Sequence, residues 1–318
     1  MRKIVRKSFH FNFVVLTLSY NQPRFCLNTI WNSNATTFAD RSSVGTVPRG
    51  IFVNSNNSIY LPNQQARQIL IWQNENHLNL TRIILPSSLS SQSIFVTMNG
   101  DIYVNNEYGS RVDKWIRENE TWISVMNVPS QCYGLFIDIY ENLYCSMRNT
   151  HRIDKKWSNG TTTIIAGTGR YGSESDMLTW PCGIFVDTNL DLYVADSGNN
   201  RIQLFRRNQR NGITVAGKGS SRLTIELNEP TDIVLDGDRH LFIVDHGNHR
   251  IIGSDENGFR CIFGCSGELG STNDKLYNSE TISFDSYGNI YVADRSNHRI
   301  QKIVKNNICG KKILFNNF

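Results

Sequence analysis

The sequence contains no Cys-x-x-Cys pair, although it has 7 cysteines in 318 residues. A zinc finger or RING module needs thiolates clustered at such short spacing, so neither is expected. No apolar run is long enough to cross a bilayer, which takes about 20 residues in a helix. Also missing are a nucleophile elbow, a glycine-rich phosphate loop running into a helix, and a cluster of carboxylates with histidine. Gly167-Thr168-Gly169 has glycine spacing alone and reads as a linking turn. Surplus charge is absent as well. Arg2, Lys3, Arg6, Lys7 and Arg24 precede Cys26 with no acidic residue among them, and they supply the whole formal charge of +5. The remainder holds 28 basic and 28 acidic residues, which leaves no broad basic field for nucleic acid. These absences predict a chain that is not an enzyme, with no catalytic, cofactor or metal site and no nucleic-acid partner.

What the sequence does have is a repeat. Asn199-Asn200-Arg201-Ile202, Asn248-His249-Arg250-Ile251 and Asn297-His298-Arg299-Ile300 are near-copies of one tetrapeptide. Each ends a longer unit: an apolar run, a turn, an aromatic–aliphatic pair and Asp. Ile184-Phe185-Val186-Asp187 leads to Tyr193-Val194-Ala195-Asp196, Ile233-Val234-Leu235-Asp236 to Phe242-Ile243-Val244-Asp245, and Ser283-Phe284-Asp285 to Tyr291-Val292-Ala293-Asp294. The aromatics at 193, 242 and 291 set a spacing of about 49, in the range of propellers and solenoids. Weaker units surround Tyr144, Tyr103 and Tyr60, giving six from about residue 47 to about residue 305.

The repeated Asn-His-Arg-Ile, with its preceding Asp, resembles the NHL repeat, over about four-fifths of the chain. The pattern departs where Gln68 stands for the Arg and Met147 for the Asp. The resemblance implies an all-β fold, a six-bladed NHL-type β-propeller. Residue by residue, the apolar runs read as inner strands buried on both faces. The Gly-bearing turn Asp285–Asn289 and the alternating Arg299–Ile303 follow. Thr163–Gly167 and Thr214–Gly217 read as fourth strands, and four antiparallel strands make a blade. The sixth unit lacks a fourth strand after Ile303, while Ala35–Ala39 matches Thr162–Ala166. The N-terminal segment is therefore expected to supply the outer strand of the last blade and remove an open edge.

Asp196 with Arg201, Asp245 with Arg250, and Asp294 with Arg299 flank the loop between second and third strands. Because the pair recurs in each strong unit, it reads as a structural charge-assisted bond fixing the loop rather than a ring for a ligand. His151, His249 and His298 share one repeat position. Amidating lyases, with a related propeller, bind zinc through three channel histidines; here the histidines belong to the repeat motif and read as structural.

The cysteines suggest Cys132–Cys145, Cys261–Cys265 and Cys26–Cys309 as disulfides, with Cys182 left over, a pattern that fits an oxidising compartment. The last pair would clasp the ring where the chain ends meet. Residues 1–25 form a basic and apolar segment, a degenerate signal peptide in composition; 26–310 form the propeller and 311–318 a tail. Sequons begin at Asn34, Asn56, Asn79, Asn119 and Asn159, a number near chance for so asparagine-rich a chain. An extracellular location is expected, with the cytoplasm as the alternative.

The expected function is a non-enzymatic interaction module, monomeric, that holds a protein, peptide or glycan by its loops. Tyr171, Trp180, Arg222 and Asn228, in the connections entering the fourth and fifth units, are the candidate binding residues, aromatics and Arg being common interface anchors. Two alternatives stand: a propeller enzyme, metal-dependent lyase or hydrolase-like, with a site at the channel mouth, and an intracellular RNA-binding or ubiquitin-ligase-associated propeller. The latter calls for a RING, coiled coil or basic face, none of which the sequence offers.

Overall fold

The computed structural model describes residues 18–306, apart from 27, 28, 77, 78, 88, 90, 107, 108 and 221–223. Its strands form six antiparallel sheets of four, each a blade. In blade four the strands run Pro181–Val186, Leu192–Asp196, Arg201–Phe205 and Ile213–Gly217, from the axis outward. The first two are buried at every position, while the fourth is exposed at its start. That gradient explains the sequence: unbroken apolar residues inside, mixed threonine and isoleucine outside.

Two connections repeat around the ring and define its two faces. First and second strands are joined by a tight turn in which, in blades three to six, an aspartate accepts backbone amides; Asp187 Oδ1 takes those of Asn189 and Asp191, both at 2.9 Å. In blades three to six the second and third strands are joined by a single 3-10 turn, as at Ser197–Asn199, closed by a residue in the left-handed region. Asn200, His249 and His298 occupy that position with φ of 56°, 54° and 55°. We call the two sides the turn face and the loop face.

The sixth blade closes as the sequence predicts. Thr36–Ala39 lies antiparallel to Arg299–Ile303, with Thr36 opposite Lys302 and Thr37 opposite Gln301. A short helix, Arg41–Val44, capped by Asp40, then leads toward blade one. Cys132 and Cys145 are bonded across the first two strands of blade three, with Cα atoms 5.3 Å apart. Cys261 and Cys265 are bonded at the end of the fifth blade's outer strand, 5.7 Å apart. Cys182 is free and buried. The pairing of Cys26 with Cys309 lies outside the described residues.

The segment ahead of the closing strand is packed into the ring. Tyr20 enters the channel from the turn face, its ring 5.3 Å from Phe136 and from Phe185 and 6.3 Å from Phe95. Asn21 Nδ2 donates to the carbonyls of Asn54 and Phe284 at 2.8 and 3.0 Å, bridging blades one and six. Pro23 accepts the Gly237 amide in blade five, and Phe25 stacks against Trp31, Phe242 and Phe284. The boundary expected at residue 26 thus falls inside a strap that is part of the propeller's packing.

Candidate binding site at the channel mouth

The inner strands place equivalent residues around the axis in layers. One layer is Phe52, Phe95, Phe136, Phe185, Val234 and Phe284, where neighbouring rings in blades one to four are spaced 4.9, 5.1 and 5.0 Å. Two residues earlier comes a layer of Gly50, Ser93, Gly134, Gly183, Asp232 and Ile282, small or polar in every blade but the sixth. Tyr20 seals the turn-face end, so the channel is a blind pocket of about 110 Å³ opening on the loop face. A Cβ on Gly183 would come within 2.1 Å of Asp232 Oδ1, so glycine there makes room for the carboxylate.

The mouth is polar and its charges are mostly engaged. Arg295 pairs with Glu280 at 3.2 Å, and Arg49 Nη1 donates to Gln92 at 2.6 Å. Arg148 lies over the rings of Tyr133 and Trp180, 5.1 and 6.0 Å from their centroids. Asp232 Oδ2 accepts the Ile282 amide at 3.0 Å. Burial pushes its carboxyl up to about 7, so it titrates near neutrality. Burial likewise pushes the Cys182 thiol up to about 12, which keeps it protonated and poorly nucleophilic.

The motif residues act beneath this face. Arg201 Nε donates to Asp196 Oδ2 at 2.7 Å, while its other nitrogens reach the carbonyls of Ser173, Glu174 and Met177. Asp196 also takes the Thr179 amide and the Asn199 side chain. Asp294 and Arg299 repeat this arrangement on the carbonyls of Ser271, Thr272 and Lys275. Arg250 bonds Asp245 at 2.8 Å and the Glu226 carbonyl. Each pair therefore ties down the loop that enters its own blade. Where Met147 or Asn106 stands for the motif Asp, the Arg turns to an aspartate two residues on: Arg152 to Asp154 and Arg111 to Asp113.

The histidines clip one blade to the next. His151 Nδ1 accepts the Trp180 amide, His249 Nδ1 that of Asn278, and Asn200 Oδ1 that of Glu229. The receiving residues all have positive φ: 51° for Trp180, 51° for Asn278 and 47° for Glu229. An Nδ1 that accepts from an amide belongs to a neutral ring with its proton on Nε2. Burial holds His151 and His249 below the usual histidine range, in keeping with that form.

Of the four candidate binding residues, Tyr171 and Trp180 come together on the loop face, 76% and 47% exposed. Both are near His151, whose ring lies 6.0 Å from that of Tyr171. Asn228 is also exposed, in the loop entering blade five, its backbone amide donating to Asp245 at 2.7 Å. Arg222 lies outside the described residues. Asp232, Glu280, Arg148 and Tyr20 were not singled out from the sequence. Aligning the repeats would have exposed Asp232, since the other described blades carry no charged residue at that position.

The profile of the NHL repeat matches residues 178–205 and 280–303, in blades four and six. No curated protein sequence matches the chain. Among solved structures, virginiamycin B lyase from Staphylococcus aureus is similar with a TM-score of 0.60 at 14% identity, over 85% of this chain and 98% of that one. An auxiliary nutrient binding protein from Bacteroides thetaiotaomicron is similar with a TM-score of 0.65 at 15% identity, over 91% and 76%. The nidogen/laminin complex contributes a chain with a TM-score of 0.54 at 17% identity, over 66% and 76%. At such identities the likeness is one of fold. With the recurring Asp, His and Arg in place and six four-stranded blades around one axis, this chain is an NHL-repeat β-propeller.

Proposed function

We propose that the protein is a non-catalytic binding propeller that works outside the cell and holds a protein, peptide or glycan on its loop face. The distribution of its sequons carries this reading. Asn34, Asn56, Asn79, Asn119 and Asn159 are all exposed. Asn56 sits in a turn between first and second strands, and Asn79, Asn119 and Asn159 lie between third and fourth strands. Asn34 precedes the closing strand at the end where third strands finish. All five therefore lie on the turn face. Glycans there would sheathe one side and leave the other bare, and the bare side bears Tyr171, Trp180 and the channel mouth. The two disulfides suit the same compartment.

The test begins with protein secreted from a glycosylating host, its sequons mapped by deglycosylation and mass spectrometry. Partner capture by that protein should then be lost in a Y171A/W180A variant. Unoccupied sequons together with undiminished capture by the variant would overturn the assignment. An enzymatic reading has support in the lyase among the similar structures. Against it, the repeat histidines of this chain are committed to backbone amides of the next blade.

A further inference from the structure

Blade five departs from its neighbours twice, and both departures face the channel. In the phenylalanine layer it carries Val234, and one layer nearer the mouth it carries Asp232. The shorter side chain leaves space beneath the carboxylate that no ring of blade five fills. Diametrically opposite, in blade two, Ser93 occupies the repeat position of Asp232. Ser93 is 6% exposed, and its Oγ has no hydrogen-bond partner among the described residues.

A carboxylate so enclosed ordinarily has a cation beside it. Asp232 has none. What acts on it is burial, two backbone amides and the like charge of Glu280. The guanidiniums of the mouth are occupied elsewhere: Arg295 by Glu280, Arg49 by Gln92 and Arg148 by the faces of Tyr133 and Trp180. A half-buried acid at the wall of a cavity with an apolar floor, with no cation beside it among the described residues, marks a ligand site.

We propose that the channel receives a primary ammonium on a short apolar body, with the nitrogen at Asp232 and the body over Val234, the phenylalanines and Tyr20. One Asp232 oxygen already accepts the Ile282 amide, which favours a compact point charge over a guanidinium that would need both. The three arginines at the mouth disfavour a second positive charge, so the site selects a monoamine. The volume of about 110 Å³ suits a branched alkyl chain. Partner capture through Tyr171 and Trp180 does not require this pocket, so each reading can fail without the other.

The test is calorimetric titration of the full chain with isoamylamine and with isoamyl alcohol, its neutral isostere, at pH 7. Saturable amine binding is expected, with the alcohol weaker by about tenfold or more. Binding should ionise Asp232 and release protons, so the heat should vary with the ionisation enthalpy of the buffer for the amine alone. D232N should remove amine binding by removing the charge, and V234F by filling the space. The wild-type comparison stands even if either variant fails to fold. Equal binding of amine and alcohol, no saturable heat from the amine, or amine binding unchanged in a folded D232N would overturn the proposal.

Discussion

His298 Nδ1 accepts the backbone amide of Val47 at 3.1 Å, joining residues 251 apart in the chain. It is the same clip that His151 makes to Trp180 and His249 to Asn278, here bent round to meet the first blade. The histidine of the repeat is thus a fastener between blades, and its last copy completes the circle together with the strand Thr36–Ala39.

Asn200 does this work in blade four through its Oδ1. H298N should therefore be nearly neutral, while H298A leaves the Val47 amide without its partner and costs about 1 kcal/mol. Thermal unfolding of the two variants side by side measures the difference. Equal loss in both would show that ring size, not the acceptor, matters.

Acid should loosen the ring. His151 and His249 stand below their unfolded value of about 6.5, so below that pH the unfolded chain binds more protons than the folded one. Their contribution is complete above about pH 6.5 and diminishes as pH falls through the folded values. Melting temperature followed from pH 7.5 to 5 should decline, and more gently in an H151N/H249N variant. Parallel curves would contradict the assignment.

Among the motif pairs, burial sets the cost of breaking them. The side chain of Arg201 is 8% exposed and that of Arg250 21%. R201A strands Asp196 with its charge uncompensated and removes the guanidinium from the Ser173, Glu174 and Met177 carbonyls, of which Glu174 keeps the Met177 amide, a loss of about 3–5 kcal/mol. R250A should cost less. Denaturant midpoints of the two variants decide the order.

Truncation separates the strap from the closing strand. A chain starting at residue 26 loses Tyr20 and Asn21 but keeps Thr36–Ala39, and should stay monomeric with a lowered melting temperature. A chain starting at residue 40 leaves Arg299–Ile303 as an open edge and should self-associate. Size-exclusion chromatography of both distinguishes the outcomes.

The blades could be read from the sequence because each is local: strands, turns and motif recur at fixed offsets, and the closing strand betrays itself by likeness to Thr162–Ala166. The strap could not. Tyr20 to Phe25 has no period, and Asn21 finds Phe284 across 263 residues, so a basic and apolar beginning resembles a signal remnant. Trp180 and Tyr171 were visible as exposed aromatics in a connection. Asp232 was hidden among strand residues, since its meaning depends on the five blades that surround it. The histidines read as structural from their place in the motif, yet their acceptor role needed the neighbouring blade to be seen.

The pairing of Thr36 with Lys302 spans 266 residues, which fixes an order of events as the chain is made. The strand synthesised first is needed by the blade synthesised last. At ordinary rates of synthesis it waits roughly 15 to 50 s with neither edge paired while five blades stack behind it. Four residues, two of them threonine, make a short and polar strand, and that brevity protects the nascent chain from pairing with a stranger before its own end arrives.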